Sequence, residues 1–395
     1  MIVLSGATLV LPDRILSPGT LAVEGGRIVD IRPESAGPLH GHVIVPGFID
    51  VHVHGVAGVD VLDGAGAIGR IAGQLTQYGV TAFCPTTVAC APAALRGVLD
   101  EVRDLRQAAT HGGSRVLPAH LESNFINPAY RGAQPAACLR TPRQAFCAPA
   151  TAPHGPSGLD FTAAEILKEI ERAAPDVGIV TLAPELDGGL DLIRWLTARG
   201  HRVSLGHSAA SFDQAQEAIA AGARHATHLF NRMPPFAHRA PGLAGAVLQS
   251  DQVAAELICD GVHVHPAVLR TAIAAKRPSR VLAITDGTAA SGLAVGARAL
   301  LGGQPITVRK SAAYLDDGTL AGGVATMDHV FRTLVGPTGL SWVDAATLCS
   351  TTAARELGLV GYGMLAVDAV ADLVVLDSQL SVVQTYVGGV LAYAQ

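Results

Sequence analysis

Four histidines, one glutamate and one aspartate in this chain have types and spacings that could do chemistry together. His52 and His54 are separated by one residue in Asp50-Val51-His52-Val53-His54-Gly55, and side chains two apart on an extended strand share a face. Two imidazoles side by side are half of a metal site. Glu122 follows His120-Leu121, His207 follows Leu205-Gly206, His228 follows Thr227, and Asp286 follows Thr285. Each alone has an ordinary structural reading as a helix cap, a core histidine or a solvated carboxylate. A mixed set of imidazoles and carboxylates suits a divalent ion, zinc first and iron, manganese or cobalt after it. Such an ion lowers the pKa of water towards about 7, and Asp286 is placed to take the proton and pass it to a leaving group. The chemistry implied is metal-assisted hydrolysis. No serine or cysteine stands in a nucleophile's setting, since Gly206-His207-Ser208 is not a GxSxG elbow. His120 is expected to support the site or pack in the core rather than ligate, and His225 to pack.

These residues can meet only if the elements that carry them end on one rim. From Ile49 onward the chain shows eight β-like runs, ending near His54, Thr86, Glu122, Pro184, His207, His228, Asp260 and Asp286. Helical periodicity lies between most of them, over Ile68–Tyr78, Ala93–Ala108, Ala163–Ala173, Leu190–Ala198, Phe212–Ala221 and Pro266–Lys276. Eight β-α units in sequence predict an α/β fold, a parallel (β/α)8 TIM-like barrel, whose active face is formed by the C-terminal ends of the strands. Short β-rich runs at Ile2–Leu4, Thr20–Val23 and Arg27–Ile31, with another sheet-like stretch at 371–393, predict a small β-sandwich domain formed from both chain ends. The expected division is 1–45 and 361–395 for that domain and 46–360 for the barrel. A sheet-like texture also covers Ala297–Leu320. The connection from Phe125 to Asp160 has six prolines and no helical period, far longer than an ordinary loop, and is expected to serve as a lid or substrate loop.

Composition narrows the function classes. The 395 residues carry 28 Lys and Arg against 33 Asp and Glu, a net charge of -5, and are 49% hydrophobic but only 15% charged. That balance excludes a disordered chain and the positive surface that coats nucleic acid. The longest uncharged run, Ile71 to Leu95, is interrupted by Gln74, Gln77, Pro85, Thr86, Thr87 and Pro92, so no membrane span is expected. The opening MIVLSGATLVLPDR lacks the build of a signal peptide, which points to a cytoplasmic protein. Cys84, Cys90, Cys138, Cys147, Cys259 and Cys349 form no CxxC pair and read as free thiols. Gly64-Ala65-Gly66-Ala67-Ile68-Gly69 matches GxGxxG, but Phe83 to Pro85 stand where a dinucleotide site needs its acidic residue.

The segments PGFIDVHVHG (46–55), TAFCPTT (81–87), HLESNFINPAYRGAQ (120–134), SLGHS (204–208), ATHLFNRMPPFAHRAPGLAG (226–245), CDGVHVHP (259–266), TDGTAASG (285–292) and ADLVVLD (371–377) together resemble the amidohydrolase superfamily. Within it the chain is similar to the N-acetylglucosamine-6-phosphate deacetylases. The resemblance implies a metal-dependent barrel with a small β domain, working as a homodimer on an amino sugar phosphate. It implies that Glu122, His207 and His228 bind the metal that activates water, that His52 and His54 complete a second metal site, and that Asp286 is the general acid/base. It further implies that Asn231, His263 and Arg239 hold the sugar phosphate, Arg239 reaching the neighbouring subunit's site, and that Met327 packs near the acyl group.

Three departures from the family pattern bear on the substrate. Ser123-Asn124 replace the usual Gly-Pro after Glu122, Gln134 replaces a histidine, and Arg232 replaces a small residue. Gln134 can donate a hydrogen bond but carries no charge, and the Arg232 guanidinium can either bind phosphate or fill space that the usual sugar needs. The expected activity is removal of acetate from N-acetylglucosamine 6-phosphate. The alternatives are a related hydrolase of another N-acyl amino sugar or small amide, and a catalytically silent scaffold.

Overall fold

The computed structural model describes residues 1–34, 37–108, 112–146 and 160–395. Eight parallel strands pair in chain order: Phe48–Val53, Val80–Thr87, Ala119–Leu121, Val177–Leu182, Arg202–Leu205, His225–Ala226, Ala254–Ile258 and Val281–Ile284. We call them barrel strands one to eight. Strand one meets strand eight through a parallel bridge between Val53 and Gly287, where the His54 N–H donates to the Gly287 carbonyl at 2.7 Å. The expected barrel is therefore present and nearly closed.

The strands are shorter than the apolar runs that predict them. His54 and Glu122 lie one residue beyond their strands, and His207, His228 and Asp286 two residues beyond. That overhang lifts the polar residues out of the ladder and onto the rim.

Helices appear at all six expected places, including Phe212–Ala221 and Pro266–Lys276 with the expected ends. Capping explains two of the starts: Thr162 with Glu165 and Ser211 with Gln214 each form a reciprocal box. A further helix, Gly242–Gln249, was not expected. It is buried on nearly every side, so its sequence shows no amphipathic period.

Both chain ends meet in one seven-stranded sheet. Its order is Val390–Ala394, Val382–Val387, Leu373–Leu376, Val43–Pro46, Ile2–Val10, Ile15–Glu24 and Arg27–Pro33. The texture after strand eight is a separate four-stranded antiparallel sheet, running from Arg298–Leu301 to Leu320–Gly323. It is stitched to the rim by a bridge between Gly287 and Gly323. Of the long connection, residues up to 146 form short 3-10 turns at Pro128–Tyr130, Ala136–Cys138 and Pro142–Ala145, while 147–159, with Cys147, lie outside the described residues. The other five cysteines are free and buried. No helix among the described residues is long and apolar enough to cross a membrane.

The GxGxxG match has a structural explanation. The backbone N–H groups of Gly66 and Gly69, at the start of helix Ala67–Leu75, both donate to the Glu101 carboxylate at 3.1 Å. A carboxylate of the chain itself sits where a dinucleotide fingerprint would need a phosphate.

Candidate metal centre and active site

His52 is the last residue but one of the buried strand one, and His54 lies just beyond the strand with its Nδ1 on the Thr86 carbonyl at 3.1 Å. Their Nε2 atoms lie 3.2 Å apart. Glu122 leaves strand three with its N–H on the Thr87 carbonyl. Its Oε1 is 2.8 Å from the Nε2 of both His207 and His228, which are themselves 3.1 Å apart, and its Oε2 is 3.3 Å from His54 Nε2. Glu122 thus stands between two histidine pairs. Asp286 Oδ1 completes the cluster at 3.2 Å from His52 Nε2 and 3.4 Å from His54 Nε2. All six residues are buried.

The backbone is bent to make this possible. His207, His228 and Asp286 all have positive φ, at 47°, 27° and 49°, a conformation that is uncommon outside glycine and gathers at functional sites. Gly206 lets strand five approach strand six, since a Cβ there would lie 2.7 Å from Thr227 Cβ.

Hydrogen bonding decides what the imidazoles offer. His54 Nδ1 faces the Thr86 carbonyl and His207 Nδ1 the Tyr130 carbonyl at 2.8 Å. A carbonyl only accepts, so these nitrogens carry the protons and the Nε2 lone pairs point at Glu122. Nε2 lone pairs and carboxylate oxygens converge, which is the donor set of a divalent cation. The electrostatics agree. Burial pushes the His52 and His54 pKa down, but the surrounding carboxylates outweigh it, raising His52 well above its ordinary value and His54 to about 9. Burial pushes Glu122 up, yet the field of His207 and His52 and the bonds from His207 and His228 hold it well below the usual range. The centre demands positive charge. Glu122 with His207 and His228, and Glu122 with His52 and His54, each bring three ligand atoms within 4.8 Å of one another.

A pocket opens over this cluster, lined by His54, Glu122, His207, His228 and Asp286 at its floor and by Gln134, Asn231, Arg232 and His263 around it. Leu301, Leu320 and Gly322 of the four-stranded sheet form one wall. Gln134 is clamped, its Oε1 accepting from the Ala89 N–H at 2.7 Å and its Nε2 donating to Glu122. Arg232 donates to the Leu320 carbonyl at 3.1 Å and pairs with no carboxylate among the described residues. His263 Nδ1 meets Asp260 Oδ2 at 2.7 Å; burial lowers its pKa, but that bond and the Asp260 charge raise it overall.

Two residues named by the family resemblance lie off this pocket, Arg239 having been expected at the neighbouring subunit's site. Met327 is outside the pocket, lining a small separate cavity with Asp50, Leu75 and Tyr78. Arg239 is exposed, its Nη1 2.8 Å from His238 Nε2, and does not line the pocket of its own chain. Ser123 and Asn124 also stay off the pocket. Ser123 donates to the Thr181 carbonyl, and Asn124 to the Cys90 and Cys138 carbonyls at 2.8 and 2.7 Å, so both tie the long connection to the barrel.

A layer beneath the cluster went partly unread in the sequence. The His120 ring bonds the Val51 carbonyl at 3.0 Å and Thr181 Oγ1 at 2.8 Å, and burial drives its pKa down to about 3. His225 does more than pack, because its Nε2 lies 2.9 Å from Glu256 Oε1. Glu256, inside the apolar run Ala-Ala-Glu-Leu-Ile of strand seven, was missed altogether. A lone carboxylate in a wholly buried strand was the available signal.

Comparison with known proteins agrees with this geometry. The amidohydrolase family model matches residues 43–392. An N-acetylglucosamine-6-phosphate deacetylase of Rattus norvegicus is 39% identical over 99% of this chain and 94% of its own. An N-acetylgalactosamine-6-phosphate deacetylase of Escherichia coli O157:H7 is 32% identical over 99% of both. The solved structure of a variant N-acetylglucosamine-6-phosphate deacetylase of Mycobacterium smegmatis, in complex with N-acetyl-D-glucosamine-6-phosphate, superposes with a TM-score of 0.87 at 31% identity, over 100% of this chain and 99% of that one. With a rim of histidines and carboxylates on a nearly closed barrel and relatives aligned along almost its full length, the chain belongs to the amidohydrolase family, among its N-acetylglucosamine-6-phosphate deacetylases.

Proposed function

We propose that this protein hydrolyses the acetamide of N-acetylglucosamine 6-phosphate, releasing glucosamine 6-phosphate and acetate. The observation that carries the reading is the converging cluster of His52, His54, Glu122, His207 and His228 with Asp286 against it, in a chain that aligns end to end with deacetylases. The five residues other than Asp286 would hold a divalent metal, zinc being the ion this nitrogen and oxygen donor set suits best; Glu122 between the histidine pairs would allow two ions. A metal bound there would supply Lewis-acid polarisation of the acetyl carbonyl and a water made nucleophilic at neutral pH. Asp286 takes a proton from the attacking water and delivers it to the sugar nitrogen as the C–N bond breaks.

Asn231, Arg232 and His263 orient the sugar phosphate, and Gln134 faces the acetamide. Arg239 points away from its own pocket and serves the neighbouring subunit of a homodimer. A charged sugar phosphate does not cross bilayers, which supports a cytoplasmic location.

A second reading takes the 4-epimeric sugar as substrate, because a relative named for N-acetylgalactosamine 6-phosphate also aligns over the full chain. The test is acetate release by metal-replete protein from both sugars, each with and without the 6-phosphate. The highest kcat/KM is expected for N-acetylglucosamine 6-phosphate. A preference for the galacto sugar moves the assignment to the second reading, and no release from any of the four rejects deacetylation.

A further inference from the structure

We propose that Glu256 is a positioning residue that orients one histidine from each half of the centre. This rests on the metal reading above. Its Oε2 lies 2.9 Å from His52 Nδ1 and 3.2 Å from the backbone N of His228, and its Oε1 lies 2.9 Å from His225 Nε2. The carboxylate is wholly buried, and no lysine or arginine pairs with it among the described residues. An ionised carboxylate without such a partner is costly in an apolar strand. A hydrophobic residue would fill the same space in Ala254–Ile258 without that cost, so the charge has to act on what it touches.

Two effects follow from the contacts. Accepting from His52 Nδ1 puts that ring's proton on the far side from Glu122, so the His52 Nε2 lone pair faces the centre; a histidine that ligates a metal commonly needs such a partner. Accepting from the His228 N–H holds the backbone of a residue whose φ of 27° is unfavourable for histidine. One carboxylate on strand seven, which contributes nothing to the rim cluster itself, thereby ties strand one to strand six.

Two substitutions separate charge from hydrogen bonding. In Glu256→Gln the amide oxygen can still face His52 and His228, and the amide NH2 can face His225, whose Nδ1 has no partner and can take the proton by changing tautomer. The charge is lost and the His225 proton shifts to Nδ1, while the bonds to His52 and His228 stay. Glu256→Leu removes the bonds as well. Zinc affinity, measured by competition with a chromophoric chelator, is expected to weaken about tenfold in Glu256→Gln and about 100-fold in Glu256→Leu, the span usual for partners of metal-bound histidines. The melting temperature of metal-free Glu256→Gln should stay within about 2 °C of wild type, a volume-conserving exchange, and kcat should fall with KM little changed. Wild-type protein that binds no divalent ion removes the metal reading and this inference with it. Wild type that binds zinc while Glu256→Gln and, if it folds, Glu256→Leu bind it equally tightly removes the inference alone.

Discussion

Glu122 touches both histidine pairs, so its replacement tests the whole centre at one atom. Glu122→Gln keeps the shape but removes the charge and presents an NH2 to one of the pairs. Metal content by elemental analysis is expected to fall at least about tenfold, comparable to or beyond the loss of a supporting partner. Full metal occupancy with unchanged activity would show that the cluster is not the centre. Asp286 makes a different prediction, because it faces the pocket as well as His52 and His54. Asp286→Asn should lower kcat by about 10²–10⁴ while KM stays near wild type, as for a lost general acid/base. A drop below tenfold reassigns the residue to ligation or packing.

The elements matter through how closely they approach the rim. Strand Leu320–Gly323 lies so near the end of strand eight that a Cβ on Gly323 would stand 2.2 Å from the Thr285 carbonyl oxygen. Gly323→Ala must therefore push the four-stranded sheet and the Asp286 backbone apart. Activity should fall about tenfold or more through misplaced geometry, with bound metal retained; unaltered kinetics would mean that this sheet does not set the position of Asp286. The opposite end of the barrel makes a stability prediction. Glu356, at the end of helix Thr352–Glu356, pairs with Arg202 at 3.1 Å, Arg280 at 3.2 Å and Arg355 at 3.2 Å. Arg202 and Arg280 stand at or just before the starts of strands five and eight, the barrel face that serves stability rather than catalysis. Glu356→Ala should cost about 2 kcal/mol, less than a fully buried pair because the arginines reach solvent, seen as a lower melting temperature with kcat unchanged.

The whole molecule enters through Arg239. The chain has a net charge of -5 and must still attract a sugar phosphate, so cationic side chains have to be concentrated at the pocket. Arg232 lines the pocket of its own chain, while Arg239 faces outward. If Arg239 serves a neighbouring site, inactive Asp286→Asn subunits mixed with Arg239→Ala subunits should regain activity, since one site of the mixed dimer holds an intact Asp286 and an intact partner arginine. Up to about a quarter of wild-type activity is the ceiling set by random pairing. No recovery despite demonstrated subunit exchange excludes the shared site.

Much of this architecture was legible in the residues alone because periodicity and strand-end chemistry are local. The alternation at His52 and His54, the run ends at Glu122, His207, His228 and Asp286, and helices such as Phe212–Ala221 follow from side-chain spacing and capping. Helix Gly242–Gln249 and Glu256 were not legible, since burial on all sides erases the periodicity that marks a helix and hides a carboxylate's purpose inside an apolar strand. Gly64 to Gly69 shows the reverse case, a motif emptied by Glu101, a residue over thirty positions away that occupies its donors. Residue type and spacing marked out candidate ligands and the strand ends that would carry them. Only the closed tertiary structure decided that Gln134 is held against Glu122, that Met327 lies behind a different wall, and that Glu256 reaches both His52 and His228. Those outcomes depend on contacts between strands far apart in sequence, which local pattern does not encode.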